Sequence, residues 1–116
     1  MNAIQPNFKL WVFSKGEDGV FGDGKLKLLI AIEKCGSLRA AATHLGISYR
    51  KAWGDLKKAE SCLGFKLLER VRGGTGGGKS ELTKDTKKFV VAYKKFQDVT
   101  NRDIEKNFLE FTKNIT

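Results

Sequence analysis

Between Gly36 and Gly64 the chain is punctuated by glycine and serine in a repeating order, and that punctuation leaves few folds open. Ser37 stands in an N-cap position ahead of Leu38-Arg39-Ala40-Ala41-Ala42-Thr43-His44-Leu45, whose alanines favour helix and permit close packing. Gly46-Ile47 interrupts that run, and Ser48 caps a further one in which Ala52, Leu56, Ala59 and Leu63 form one apolar stripe ending at Gly64. Glycine just past a helix supplies the left-handed residue that stops it. Two helices joined by so tight a turn must cross rather than run on, and neither buries a core alone.

The flanking segments supply the rest of that core. Upstream, Lys25 opens a helix whose apolar residues Leu26, Leu29, Ile30 and Ile32 recur at helical spacing and which ends at Cys35 and Gly36. Before it, Phe8-Lys9-Leu10-Trp11-Val12-Phe13 reads as a strand and residues 14–19 as a loop, with Val20-Phe21 a possible returning strand. Downstream, Phe65 to Val71 reads as a strand, Arg72 to Ser80 as a glycine loop and Glu81-Leu82-Thr83 as the return, which makes a hairpin. Thr83 then caps a long helix to about Phe111, with Phe89, Val90, Tyr93, Phe96, Val99 and Thr100 on one side.

Helix-turn-helix followed by hairpin is the order of a winged helix: mainly α with a small β part, ending in a long C-terminal helix. One domain is expected over residues 1–116, with the helix-turn-helix at 37–63, the wing at 65–83 and a dimerisation helix at 84–112. A helix that long outruns a small domain, so part of its apolar face, with Phe89, Tyr93, Phe96 and Thr100 as interface residues, is expected to meet a second copy.

Charge says what the surface is for. The chain carries +9 at pH 7, and residues 48–80 hold eight basic and three acidic side chains where residues 1–47 hold six and four. Such a field favours polyanions, nucleic acid before an anionic membrane surface, the bland alternative being a solvated basic surface. With 41% hydrophobic residues the chain is a packed protein. The longest apolar run, Leu28 to Ile32, is too short to span a bilayer, and Met1 to Lys9 lacks signal-peptide character, so a cytoplasmic protein without membrane contact is expected.

In a winged helix the second helix of the motif enters the major groove by its N-terminal part. With the buried stripe subtracted, Ser48, Tyr49, Arg50, Lys51, Gly54, Asp55, Lys57 and Lys58 face solvent or DNA. Arg50 and Lys51 can donate to guanine O6 and N7, Ser48 and Tyr49 suit phosphate or base edges, and Lys57 and Lys58 suit phosphate. Gly54 costs a helix roughly 1 kcal/mol against alanine, either a tolerated imperfection or a place where something must come close. Trp53 is expected to close the core against the preceding helix rather than to stack on a base. Arg39 is either a phosphate contact or merely solvated. Arg70, Arg72 and Lys79 flank the glycine loop and can bracket a phosphate path.

These residues carry a resemblance. Leu10-Trp11-Val12, Val20-Phe21-Gly22, Leu28-Leu29 with Ala31-Ile32, Gly36-Ser37, Ala41-Ala42, Leu45 to Trp53, the runs Gly73-Gly74 and Gly76-Gly77-Gly78, and Leu82-Thr83 are similar to the N-terminal winged-helix domain of the molybdate-responsive ModE regulators, related to the LysR-type DNA-binding domain. The resemblance covers about residues 8–90 and implies a dimeric bacterial or archaeal transcription factor. Full-length ModE members continue into a molybdate-binding region, whose glycine and β-branched composition residues 91–116 lack. The expectation is a stand-alone DNA-binding member without a cofactor.

Other chemistries fit less well. Gly73 to Ser80 satisfies G-x-x-x-x-G-K-S, but no helix begins within it and no apolar strand ending in Asp follows, so no nucleotide is expected. His44 is the one histidine and reads as a surface residue, which leaves acid–base catalysis without a partner; the chain is expected not to be an enzyme. Glu17, Asp18 and Asp23 lack calcium-ligand spacing and read as a solvated loop. Cys35 and Cys62 have no metal or disulfide spacing and are expected to be buried thiols. The rival from another class is a protein-interaction module that kept the fold and lost DNA binding.

Overall fold

Among the described residues, serine and threonine side chains cap the starts of three helices and a left-handed glycine ends three. In the computed structural model, which describes residues 3–16, 21–71 and 79–116, α1 spans Asp23–Cys35, α2 Leu38–Leu45 and α3 Tyr49–Leu63. Ser37 Oγ accepts the Ala40 N–H and Ser48 Oγ the Lys51 N–H, both at 3.0 Å. Gly46 turns the chain between α2 and α3 at φ +71°, a left-handed conformation in which a side chain would be strained. The hairpin pairs β1 (Leu68–Val71) with β2 (Lys79–Leu82) antiparallel, Leu68 opposite Leu82 and Val71 opposite Lys79. α4 then runs from Lys84 to Ile115. The predicted stop near Phe111 is passed because Thr112-Lys113-Asn114-Ile115 contains no breaker. The result is a winged helix-turn-helix with a long C-terminal helix.

The core is where α1, α2 and α3 meet. Leu28, Leu29 and Ile32 of α1 are buried against Ala41 and Ala42 of α2 and Ala52, Leu56 and Ala59 of α3, the alanines allowing close approach. Phe21 plugs the end of this core and meets Phe89 and Tyr93 of α4 edge-on, each with ring centroids at 4.8 Å. Tyr93, expected at a dimer interface, is buried in the chain's own core at 4% exposure, and Phe89, expected there too, packs half-buried against that core. The residue both pack on, Phe21, lies far away in sequence. Phe96 is exposed and Thr100 half-buried.

Three connections fasten the wing. Ser80 N–H donates to Gly36 O at 2.8 Å, tying β2 to the α1–α2 turn. Glu60 Oε2 accepts the Leu67 N–H at 2.8 Å. Thr86, fully buried, donates to Leu67 O at 2.8 Å, while Thr83 caps α4 and donates to Lys66 O at 2.7 Å. The start of α4 is thus knotted to the residues leading into β1.

The N-terminal strand predicted at 8–13 reduces to one bridge, Val12 with Phe21. Val20 and the Glu17 and Asp18 of the acidic cluster lie outside the described residues. Two paired residues make no stable hairpin, and tertiary contacts hold the arm instead. Tyr93 Oη donates to Leu10 O at 3.0 Å, and Trp11 lies so close on Gly22 that a Cβ there would come within 2.5 Å of its ring. The thiols also differ from expectation: Cys35, in the last turn of α1 where the core ends, is exposed, and Cys62 is half-buried.

Candidate nucleic-acid interface

α3 turns Ala52, Leu56 and Ala59 inward, and 3.6-residue periodicity therefore turns Arg50, Gly54, Lys57 and Ser61 outward. All four are exposed. A Cβ placed on Gly54 would meet nothing within 4 Å, so no contact inside the chain accounts for a glycine there. The ridge is bare at its centre, with cations before and after it. Ser48, Tyr49 and Arg50 stand exposed at the N-terminal end of α3, where the helix dipole is positive.

One flank of the ridge faces α1. Lys51 Nζ pairs with Asp55 at 3.0 Å, an exposed i,i+4 contact worth a few tenths of a kcal/mol and easily exchanged for phosphate. Lys58 is exposed on the same side. Lys25 of α1 belongs to this cluster. Burial lowers its pKa first, the charge of Asp55 opposes that, and the neighbouring Lys58 and Lys51 lower it further. Sequence reasoning missed Lys25 because only the crossing of α1 over α3 brings it here, and no spacing within α1 signals that.

The other flank faces the wing across an open groove lined by Tyr49, Trp53 and Lys57 of α3, Arg70 of β1 and Ser80 of β2. A second hollow continues it to Ser37 and Arg39 at the start of α2. Trp53, expected in the core, is 48% exposed and stands in this groove, because the small Ala52 and Ala59 already close the contact with α2. The Arg39 guanidinium lies 4.5 Å from the centre of the Tyr49 ring, and Lys57 Nζ lies 5.6 Å from that of Trp53, while Lys57 also pairs with Glu60 at 3.2 Å. Arg39 is thereby drawn to the same side as Arg70.

Of the predicted wing residues, Arg70 and Lys79 are exposed on β1 and β2. Arg72 and the glycines from Gly73 to Gly78 lie outside the described residues. Lys79 and Ser80, the last two positions of the phosphate-loop pattern, are strand residues, and the next helix begins only at Lys84. His44 is exposed at the end of α2. Among the described residues no helix is long and apolar enough to cross a membrane.

Known proteins are similar to this chain in sequence and in fold. The family model for bacterial regulatory helix-turn-helix proteins of the lysR family matches residues 24–86, over half of the chain. The chain is 33% identical over 88 residues to the transcriptional regulator ModE of Haemophilus influenzae, covering 75% of this chain and 34% of that protein. It is 35% identical over 72 residues to the molybdenum-pterin-binding protein MopB of Rhodobacter capsulatus, covering 62% and 27%. The chain thus spans about a third of the length of these curated relatives. Among solved structures, the CbnR_DBD–DNA complex matches with a TM-score of 0.55 and 26% identity over 75% of this chain and 94% of that one. The BenM_DBD/catB site 1 DNA complex matches with a TM-score of 0.50 and 25% identity, covering 79% and 91%.

Proposed function

The chain belongs to the lysR family of bacterial regulatory helix-turn-helix proteins, a family of DNA-binding transcriptional regulators, and from that premise we propose that it binds duplex DNA sequence-specifically as a homodimer, without catalytic activity, in the cytoplasm. The observation that carries this reading is the outer ridge of α3, bare at Gly54 and edged by cations on both flanks. A major groove admits one helix, and a helix without a side chain at its centre line sits deeper in it. Arg50 and Lys51 read base edges, the second after leaving Asp55. Ser48 and Tyr49 meet phosphate or base edges at the helix start. Lys57 and Lys58 hold the backbone along α3, Lys25 adds a contact from α1, and Arg39, Arg70, Arg72 and Lys79 hold it on the wing side. Two copies joined through the C-terminal helix place two α3 helices in half-sites about one helical turn apart. Solved structures similar to it in fold include complexes with DNA, which supports the partner.

Fluorescence anisotropy of the protein with genomic duplex fragments across a salt series tests the reading. Binding is expected to weaken steeply with salt and to survive competitor DNA on a few fragments. The Arg50→Ala, Lys51→Ala pair should lower affinity for those fragments by about tenfold or more. Wild-type protein that ignores DNA at physiological salt would hand the basic surface to a protein partner instead.

A further inference from the structure

The ridge of α3 accounts for its polar residues but leaves Trp53 unexplained. A half-exposed tryptophan is costly to keep in water, since its large apolar ring contributes little to folding there. Its surroundings are ordered all the same. Tyr49 lies one turn before it on the same side of α3, and Lys57, one turn after it, hangs over its ring. Arg39 covers Tyr49, and Arg70 and Ser80 form the opposite wall of the groove. Aromatic surface therefore lies in the first two turns of α3, the part that reaches bases, while the cations around it stand at the edges where phosphates pass.

An aromatic ledge at that depth has a limited choice of partners. The base edges in the major groove present hydrogen-bond donors and acceptors and one apolar group, the C5 methyl of thymine. Indole has a single donor and no acceptor, so among the groups on the base edges nearly all of its exposed surface is matched only by an apolar one. Lys57 and Arg39, which shield the two rings in the free protein, are the groups that phosphates draw off when the groove fills, and the rings are uncovered as the duplex arrives.

From these positions we infer that Trp53, with Tyr49 beside it, is a specificity-determining ledge that packs on thymine C5 methyl groups at the wing side of α3. The inference rests on the DNA-binding reading above and adds to it a base preference at positions that Arg50 and Lys51 do not contact. Thymine is distinguished there from uracil, which has the same hydrogen-bonding edge and lacks the methyl.

The test uses genomic duplex fragments that the wild-type protein itself retains, each amplified twice, once with dTTP and once with dUTP, so that sequence is held and only the methyls are removed. The wild type is expected to bind the uracil duplex about fourfold more weakly for each contacted methyl, or about fifteenfold for two symmetric half-sites. Trp53→Ala should bind the thymine duplex more weakly by a similar factor and lose the distinction between the two, whereas Trp53→Phe should keep part of it. Unchanged thermal melting of both variants checks that an exposed position was altered without unfolding the chain. Equal wild-type affinity for the two duplexes, or a Trp53→Ala variant that still discriminates in full, overturns the proposal while leaving DNA binding in place. A wild type that binds neither duplex overturns the DNA-binding reading, and this one with it.

Discussion

The two halves of α4 follow the same pattern and differ in what covers it, Phe89 and Tyr93 packing within the chain while Phe96, at 51%, is as exposed as Phe111. In the near half, to Gln97, Thr86 is fully buried, Tyr93 nearly so, and Gln97 Nε2 donates to Asp23 at 2.6 Å. In the far half Leu109 is 64% exposed and Phe111 and Ile115 about half exposed, with Phe108 leaning on Phe111 at 5.8 Å. Yet Phe89, Tyr93, Phe96 and Thr100 follow the 4-3-4 spacing that Ile104, Phe108, Phe111 and Ile115 repeat. Periodicity reports that a helix face is apolar; it does not report whose surface covers it. The near half finds Phe21 and the N-terminal arm within the chain. The far half extends alone in a molecule 63 Å long, and an isolated helix of that length is marginal in water. A second copy is the proposed cover, and Ile104, Phe108, Phe111 and Ile115 are the residues proposed to meet it.

Three experiments press on this contrast. Tyr93→Ala should cost about 3–5 kcal/mol of folding stability by emptying the space beside Phe21 and Phe89, read in chemical denaturation, whereas Phe111→Ala should leave the stability of the dilute monomer nearly unchanged. Equal losses would erase the distinction between the halves. Next in size, replacing Phe108, Phe111 and Ile115 together by Asp should convert the dimer to monomer in sedimentation and weaken operator binding by about a hundredfold, as two linked contacts become one. A dimer that survives would place the interface elsewhere. The smallest effect concerns the phenol of Tyr93. Burial raises its pKa above the ordinary value, the Asp23 carboxylate adds to this, and Gln97 works the other way. A folded pKa above the unfolded one means the unfolded chain loses its proton first. Stability is then whole below about pH 10 and falls as pH climbs through the ordinary tyrosine range. Tyr93→Phe should cost about 1 kcal/mol for the bond to Leu10 O and flatten that alkaline decline, measured as denaturation midpoint against pH.

The helix-turn-helix was legible because its boundaries are local. Ser37, Gly46, Ser48 and Gly64 settle their own helix ends through atoms three or four residues away, and α2 and α3 fall where those residues put them. The hairpin was legible in kind, although β1 begins at Leu68 rather than Phe65, since Phe65 turns to the α4 side near Phe89. Long-range packing was not legible. Trp53 lies at the border of the α3 stripe, one turn before Leu56, and only the position of the wing decides that it faces a groove. Tyr93, Phe89 and Lys25 acquire their surroundings from Phe21, Leu10 and α3, at separations no local pattern spans. Of the interface, the basic ridge of α3 could be read from spacing, and its two flanks could not.

The knot at the start of α4 also has a mechanical side. Thr86 and Thr83 clamp the helix to the carbonyls of Leu67 and Lys66 just before β1, Gln97 bonds it once more to Asp23 of α1, and from there to Ile115 the helix is a lever about 27 Å long. A tilt of about 5° at its base swings the far end by about 2 Å. The same arithmetic run backwards is gentler, because displacing the tip by about 2 Å turns the base by only about 5°. Whatever grips the far end would steer the wing with a large reduction in motion, so the hairpin holds its aim while the distant contact is free to adjust.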